Sequence, residues 1–256
     1  MSFGNKGWDI PDKTGGENKV SKFDSFWIKP GTTRRIMFLQ SEPFTFFAHN
    51  LYFWNKTNTS IVCLKEEKVN GGVCPICDAE QEQQWPRFVG ALNIIDLGEV
   101  TGDGEVVGYT SEKGTVYRDQ LKYMLAKAGS KTKEGVLRKL MRYNNKRDGL
   151  QYCVFDVYRG GSKDASVGSD FSFIKKLKPE EVVEYLVECG GSKKDILNKK
   201  YKDNMFDFAE IFKPWSVDRI QRLVNNKLSG NVVSDSPNNG SNNSSNEFHD
   251  EDDIPF

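Results

Sequence analysis

Residues 46–54 read FFAHNLYFW, residues 63–65 CLK and residues 71–78 GGVCPICD. Together these pieces offer one imidazole and three thiols, His49, Cys63, Cys74 and Cys77, spaced His-x13-Cys-x10-Cys-x2-Cys. Such a mixture of soft and borderline donors suits one tetrahedral zinc ion. Gly71, Gly72 and Pro75 frame the tight pair, so a glycine turn can bring the sulfurs of Cys74 and Cys77 onto one metal, while His49 and Cys63 fasten that turn to neighbouring strands. Four protein ligands leave no open coordination position, which makes the ion structural and not catalytic. A redox dithiol or a disulfide built from the same thiols leaves His49 and Cys63 without a role. Cys153 and Cys189 fall in an apolar strand and at a helix end and read as packing residues.

Outward from this centre, Thr33 to Leu39 and Phe44 to Trp54 read as strands, followed by a short strand at Ile61 to Leu64 and a short helix from Pro75 to Gln84. Arg87 to Leu97 is apolar enough for a central strand, with Gly90 marking a bend or a close approach. The turn TGDGE leads into Val106 to Thr110. Tyr117 to Ala128 and Glu134 to Tyr143 carry a helical period, with Leu121, Leu125, Leu137, Leu140 and Met141 as the buried stripe. Gln151 to Tyr158 and Phe171 to Lys175 read as strands. A helix follows Leu177, starting at proline and glutamates and stopping at glycine, and a last helix runs from Ser216, its cap, to Leu228. This order predicts an α+β protein: an OB-fold-like antiparallel β-barrel with a zinc-binding loop subdomain, helical insertions and a disordered acidic C-terminal tail. The expected divisions are a flexible arm over residues 1–24, the core over 25–228, a Ser/Asn/Gly linker over 229–249 and an acidic tip over 250–256.

Charge is divided unequally. The 36 basic and 36 acidic residues cancel overall, but six of the acids, and no Lys or Arg, lie beyond Leu228, so the body carries a net +6. A basic body with an acidic tail points to a polyanionic ligand for one and a separate partner for the other. No apolar run reaches membrane-spanning length and the first residues lack the pattern of a secretory signal, which predicts a reducing cytoplasm and no membrane partner.

Between Lys113 and Arg147 there are eleven Lys or Arg and two acids, Asp119 and Glu134. Cationic side chains follow phosphates and aromatic faces stack on unpaired bases, so interleaving the two gives sequence-tolerant binding of single strands. The expected stackers are Phe46, Tyr52, Trp54, Tyr109, Tyr117, Tyr152 and Tyr158. The expected phosphate partners are Arg34, Arg35, Lys56, Arg87, Arg118, Lys122, Arg138, Arg142 and Arg159. In the second strand, an inward His49 implies that Phe46, Tyr52 and Trp54 point outward.

The final residues, Asp250, Glu251, Asp252, Asp253, Ile254, Pro255 and Phe256, combine acids with a stiffened apolar plug. That combination suits a small apolar pocket ringed by cations.

Two resemblances follow from these motifs. The tip DDIPF resembles the C-terminal tip of bacterial single-stranded DNA-binding proteins, which implies recruitment of replication, recombination and repair enzymes. The set His49, Cys63, Cys74 and Cys77 is similar to the zinc subdomain of the gene-32-type helix-destabilising proteins of tailed phages, which implies an OB-fold core with a basic, aromatic-lined cleft. The arm here holds no compact Lys/Arg motif, in departure from that family. The resulting expectation is a non-enzymatic protein that coats single-stranded DNA in a host cytoplasm or nucleoid and self-associates along it. The alternatives are a zinc-containing RNA-binding or transcription-associated module, and a zinc-dependent nuclease. The nuclease is disfavoured because the chain has only two histidines, one of them His249 in the tail.

Overall fold

A computed structural model of the chain describes residues 25–50, 60–79, 85–110, 116–129 and 134–228. The strands are β1 (Thr32–Phe38), β2 (Phe44–Asn50), β3 (Ser60–Val62), β4 (Arg87–Val100), β5 (Val106–Val107), β6 (Tyr109–Thr110), β7 (Val116–Tyr117), β8 (Gln120–Lys127), β9 (Cys153–Arg159) and β10 (Asp170–Lys176). The helices are α1 (Pro75–Asp78), α2 (Val136–Arg147), α3 (Val182–Glu188), α4 (Lys193–Lys199), α5 (Phe208–Ile211) and α6 (Val217–Leu228). Eight strands form one open antiparallel sheet, ordered β10-β9-β1-β4-β2-β3 with β5 and β8 also paired to β4. The short β6–β7 ribbon stands apart from it.

The described chain falls into two compact units. The smaller comprises Phe47–Arg87 with the chain from Phe212 on; the larger comprises the described chain up to Phe46 with Phe88–Ile211.

In the larger unit, strand periodicity explains the packing. Ile36 and Phe38 of β1, Leu92 and Ile94 of β4, Met124 and Ala126 of β8, Phe155 and Val157 of β9 and Phe171 of β10 all enter one core, joined by Val136, Leu137 and Leu140 of α2. Five strands that each turn one side to the same cluster must curve around it. The alternate residues, Met37, Ile95, Leu97 and Val154, pack instead under Tyr185 and Leu186 of α3 and Ile196 of α4. With both sides covered, β4 reads as a continuous apolar run. Gly90 is the predicted close approach: a Cβ built there would lie 2.6 Å from Leu137 Cδ1.

Two helical expectations are corrected. Residues 120–127 are a strand, paired to β4 from Asp96↔Gln120 to Val89↔Lys127. Leu121 and Leu125, four apart, fit a helix face and alternate strand positions equally well, and pairing to β4 decides between them. The helix predicted from Glu134 is α2, but Met141 is half exposed, outside the buried stripe.

One buried acid at the start of β8 gives the larger unit a pH dependence. Asp119 sits in the left-handed region (φ 49°), its main-chain oxygen accepting from Lys199 Nζ at 2.8 Å and Tyr201 Oη at 3.0 Å. Its side chain is buried and Oδ1 has no hydrogen-bond partner. Burial, opposed by Lys199 and Arg118, pushes the carboxyl up from 3.8 to about 6. A folded-state value above the unfolded one means that the folded protein holds this proton more tightly, so stability from this group falls as pH rises from about 4 to about 6. Asp119→Asn, tolerated at this backbone conformation, is expected to raise stability at pH 7 by about 1–3 kcal/mol and to change nothing at pH 3.5. Urea titrations at the two pH values check this, and an equal gain at both would rule out the carboxyl as its source.

Candidate functional site

The smaller unit is built around the four predicted ligands. β2 and β3 pair with His49 opposite Ile61, and the Cys63 amide donates to Phe47 O at 2.8 Å, so the imidazole and the first thiol come from adjacent, hydrogen-bonded segments. The loop then turns through Gly71 (φ 80°) and Gly72 (φ 71°), backbone conformations that favour glycine. Cys74 is the N-cap of α1, with Pro75 in the first turn, and Cys77 lies three residues on, which sets both sulfurs on one side of a single helical turn. Glu67 Oε1 accepts the Phe47 amide at 2.7 Å and holds the loop against β2. Ile220 and Val224 of α6 close the cluster formed by Ile61, Leu64 and Ile76. Ser216 is the predicted cap of α6, its Oγ accepting the Arg219 amide at 3.3 Å.

His49 Nε2 lies 3.4 Å from Cys74 Sγ and 3.6 Å from Cys77 Sγ, and Cys63 Sγ lies 3.5 Å from Cys77 Sγ. All four ligand atoms lie within 4.8 Å of one another. The 3.5 Å sulfur separation is far beyond a disulfide bond of about 2.05 Å. It is close to the edge of a tetrahedron with metal–sulfur bonds of about 2.3 Å, which is roughly 3.8 Å. The cluster can therefore hold a single metal ion. Electrostatics agree. A hydrogen bond from Cys63, reinforced by His49 against the opposing effect of burial, draws the Cys74 thiol down to about 3. That bond and burial push Cys63 up, and burial with the neighbouring Cys74 charge pushes Cys77 up to about 11. Two of the three crowded thiols resist ionisation beside the Cys74 thiolate, and a bound cation would relieve that resistance. Cys153 and Cys189 are buried free thiols far along the chain, as expected of packing residues.

The predicted nucleic-acid residues divide into several groups. Arg34, Tyr109 and Lys122 come together in a cleft of about 530 Å³ in the larger unit. Asp96, Trp27 and Lys29 share its lining and were missed by the sequence reading; a lone acid inside the apolar run of β4 was the available signal for Asp96. Arg138 and Arg142 are exposed on α2; Arg142 lines a second cleft of about 340 Å³ with Lys139 and Lys146, and Arg138 is not part of that lining. Arg142 pairs with Glu134 at 2.6 Å, so one of the few local acids is matched after all. Tyr158 is exposed on β9, and Arg87 is half-buried at the start of β4. Tyr117 pairs through its backbone with Tyr109. Tyr52, Trp54, Lys56, the arm over 1–24 and the linker and tip from 229 to 256 lie outside the described residues.

The others are placed differently from the expectation of an outward, accessible set. Phe46 is fully buried beside Phe44. Tyr152 is buried under the cover of α3 and α4, which lies over the sheet side that the sequence left open. Arg35 is spent on a two-bond pair with Asp156, at 2.6 and 2.8 Å. Arg159 is fully buried and donates to Ile28 O at 2.9 Å and Ser162 O at 3.1 Å, which ties the chain before β1 to the β9–β10 loop. Arg118 donates to Val106 O and shares no helix face with Lys122, because no helix runs there.

Compared with known proteins, the chain matches no family model, no curated protein and no solved structure.

Proposed function

We propose that this chain is a non-enzymatic, zinc-stabilised OB-fold protein that binds single-stranded DNA with little sequence preference. The observation that carries this reading is the cleft in which Lys29 and Lys122 meet Trp27 and Tyr109, beside the buried Arg34–Asp96 ion pair. It combines aromatic surface with cations, the pairing that single-strand binding uses. The sheet supports it. The antiparallel pairings β8-β4-β1-β9-β10, with α2 between β8 and β9 in the chain, support reading these five strands as a partly open OB barrel, a fold whose second and third strands bind oligonucleotides. On this reading those strands are β4 and β8, and Asp96 and Lys122 on them line the cleft. Three cysteines and one histidine at tetrahedral separations favour zinc among the first-row metals and occupy all of its positions, which supports a structural role. The acidic tip, on this reading, serves partner proteins of replication, recombination and repair.

The test is a tryptophan-fluorescence titration of a short single-stranded DNA against its duplex and its RNA counterpart. Single strands are expected to bind more tightly than duplex. Neutralising about four phosphates would weaken binding about 50-fold between 50 and 200 mM salt. Affinity that ignores salt, or that favours duplex, would overturn the assignment. Tighter binding of the RNA would make the protein an RNA-binding module.

A further inference from the structure

Helix α2 carries cations that its own packing does not use. Arg138, Lys139, Arg142 and Lys146 fall within an arc of about 100° on its outward side, opposite buried Val136, Leu137 and Leu140, and no other residue of the helix shares that arc. The stripe is about 12 Å long. Its charge is largely uncompensated. Arg142 pairs with Glu134 at 2.6 Å, but Lys139 Nζ donates to a neutral carbonyl, Ser169 O, at 2.7 Å, and Arg138 and Lys146 have no ion-pair or hydrogen-bond partner among the described residues. The helix itself contains no acid.

This arrangement works against the helix. Arg138 repels Arg142 and Arg142 repels Lys146 at four-residue spacing, where like charges destabilise, and Arg138 lies in the first turn, where the helix dipole disfavours a cation. Local rules broken without compensation inside the fold mark a surface that serves something outside it.

A polyanion supplies the missing charge. Lys139, Arg142 and Lys146 line the cleft of about 340 Å³ against a single acid, Asp170. That cleft offers no flat face to a base: Phe171 is buried, and Tyr143 packs edge-on against Phe155 at 5.0 Å and donates its hydroxyl to Phe171 O at 2.8 Å. In this it differs from the cleft of Trp27 and Tyr109, where rings and cations are mixed. The two surfaces are linked through one strand, since α2 packs on β8, whose Lys122 lines the aromatic cleft.

We propose that the outward side of α2 is a track for the phosphodiester backbone, blind to bases, which takes the single strand where it runs beyond the aromatic cleft. The inference rests on the single-strand reading above and divides the work: the aromatic cleft holds bases and α2 holds phosphates.

Its test titrates the full-length protein with thymidine oligomers of about 5 and about 16 nucleotides, within the span of site sizes known for one OB fold. In the double variant Arg138→Gln, Lys146→Gln the long oligomer is expected to bind more weakly. Its salt slope should fall by about 1.4, two phosphates at about 0.7 each, so that the deficit shrinks about sevenfold from 50 to 200 mM salt. The short oligomer keeps its wild-type affinity. The charge-keeping pair Arg138→Lys, Lys146→Arg should bind the long oligomer as the wild type does, which separates charge from fold. Abasic flanks around a central run of five thymidines should preserve the wild-type gain of the long oligomer over the short. Equal affinity of the double variant and wild type for the long oligomer, an equal loss at both lengths, or loss of the gain with abasic flanks each overturns the track while leaving the aromatic cleft intact. Unchanged DNA binding together with lost capture of a poly-glutamate peptide would hand the surface to an acidic protein instead. Failure of both oligomers to bind the wild type overturns single-strand binding itself.

Discussion

Replacing Cys74 with serine is expected to abolish one-to-one metal binding and to unfold the smaller unit while the larger keeps its own transition. The unit has little else to hold it. Among its described residues, the buried apolar side chains other than the thiols are Ala48, Ile61, Val62, Leu64, Ile76, Phe212, Ile220 and Val224, and its loop carries Lys68 and Asn70 in the left-handed region. Each buried aliphatic side chain contributes about 1.5–3 kcal/mol. Ordering each residue costs about 1–2 kcal/mol in backbone entropy alone. Those few side chains cannot offset some forty ordered positions. A structural zinc site adds about 10–16 kcal/mol of apparent binding free energy, which in such a unit is folding free energy. Metal content per chain and amide exchange over residues 60–79 read the outcome, and chelation of the wild-type protein should reproduce it. If protection across those residues survives metal loss, the ion is not what holds the unit together.

The second large effect lies in the other core. Phe155 is fully buried at the middle of β9, its ring packed edge-on against Phe38 at 5.7 Å, Tyr143 at 5.0 Å, Phe171 at 6.3 Å and Phe173 at 5.6 Å. Phe155→Ala removes the centre of that cluster and leaves a cavity among rings fixed by two strands and a helix, so collapse into it is limited. The expected cost is about 3–5 kcal/mol. At about 2–4 °C per kcal/mol for a chain of this size, the melting temperature falls by roughly 6–20 °C. Metal content stays at one per chain, because every ligand belongs to the smaller unit. A loss below 1 kcal/mol by urea titration would mean that the site is far more plastic than four edge-on ring contacts imply.

The four clustered candidate ligands were readable in the sequence because ligand chemistry demands particular side chains, and a two-residue gap fixes Cys74 and Cys77 on one turn whatever surrounds them. Strands β1, β4 and β9 were readable for a related reason: alternation or an unbroken apolar run is a local property. What the sequence hid depends on partners distant along the chain. Phe46 and Tyr152 look like outward rings only until the groups that bury them are in place, and the cover over Tyr152 comes from Tyr185, Leu186 and Ile196. Arg34 and Arg35 look alike as adjacent cations, yet their neutralising acids, Asp96 and Asp156, are 62 and 121 residues away. In β8, residues with helical preference took strand geometry because eight positions of β4 were there to pair with them.

The discontinuity of the smaller unit also fixes an order of assembly. The thiols at 63, 74 and 77 leave the ribosome about 140 positions ahead of Val217, the first residue of the helix that covers them. At synthesis rates of about 5–20 residues per second, that is an interval of roughly 7–28 s. During it three cysteines and a histidine are present as a nascent hairpin without its lid, open to oxidants and to competing ions. Capture of the ion in that window, ahead of helix docking, would turn the growing chain's most vulnerable stretch into its first finished piece.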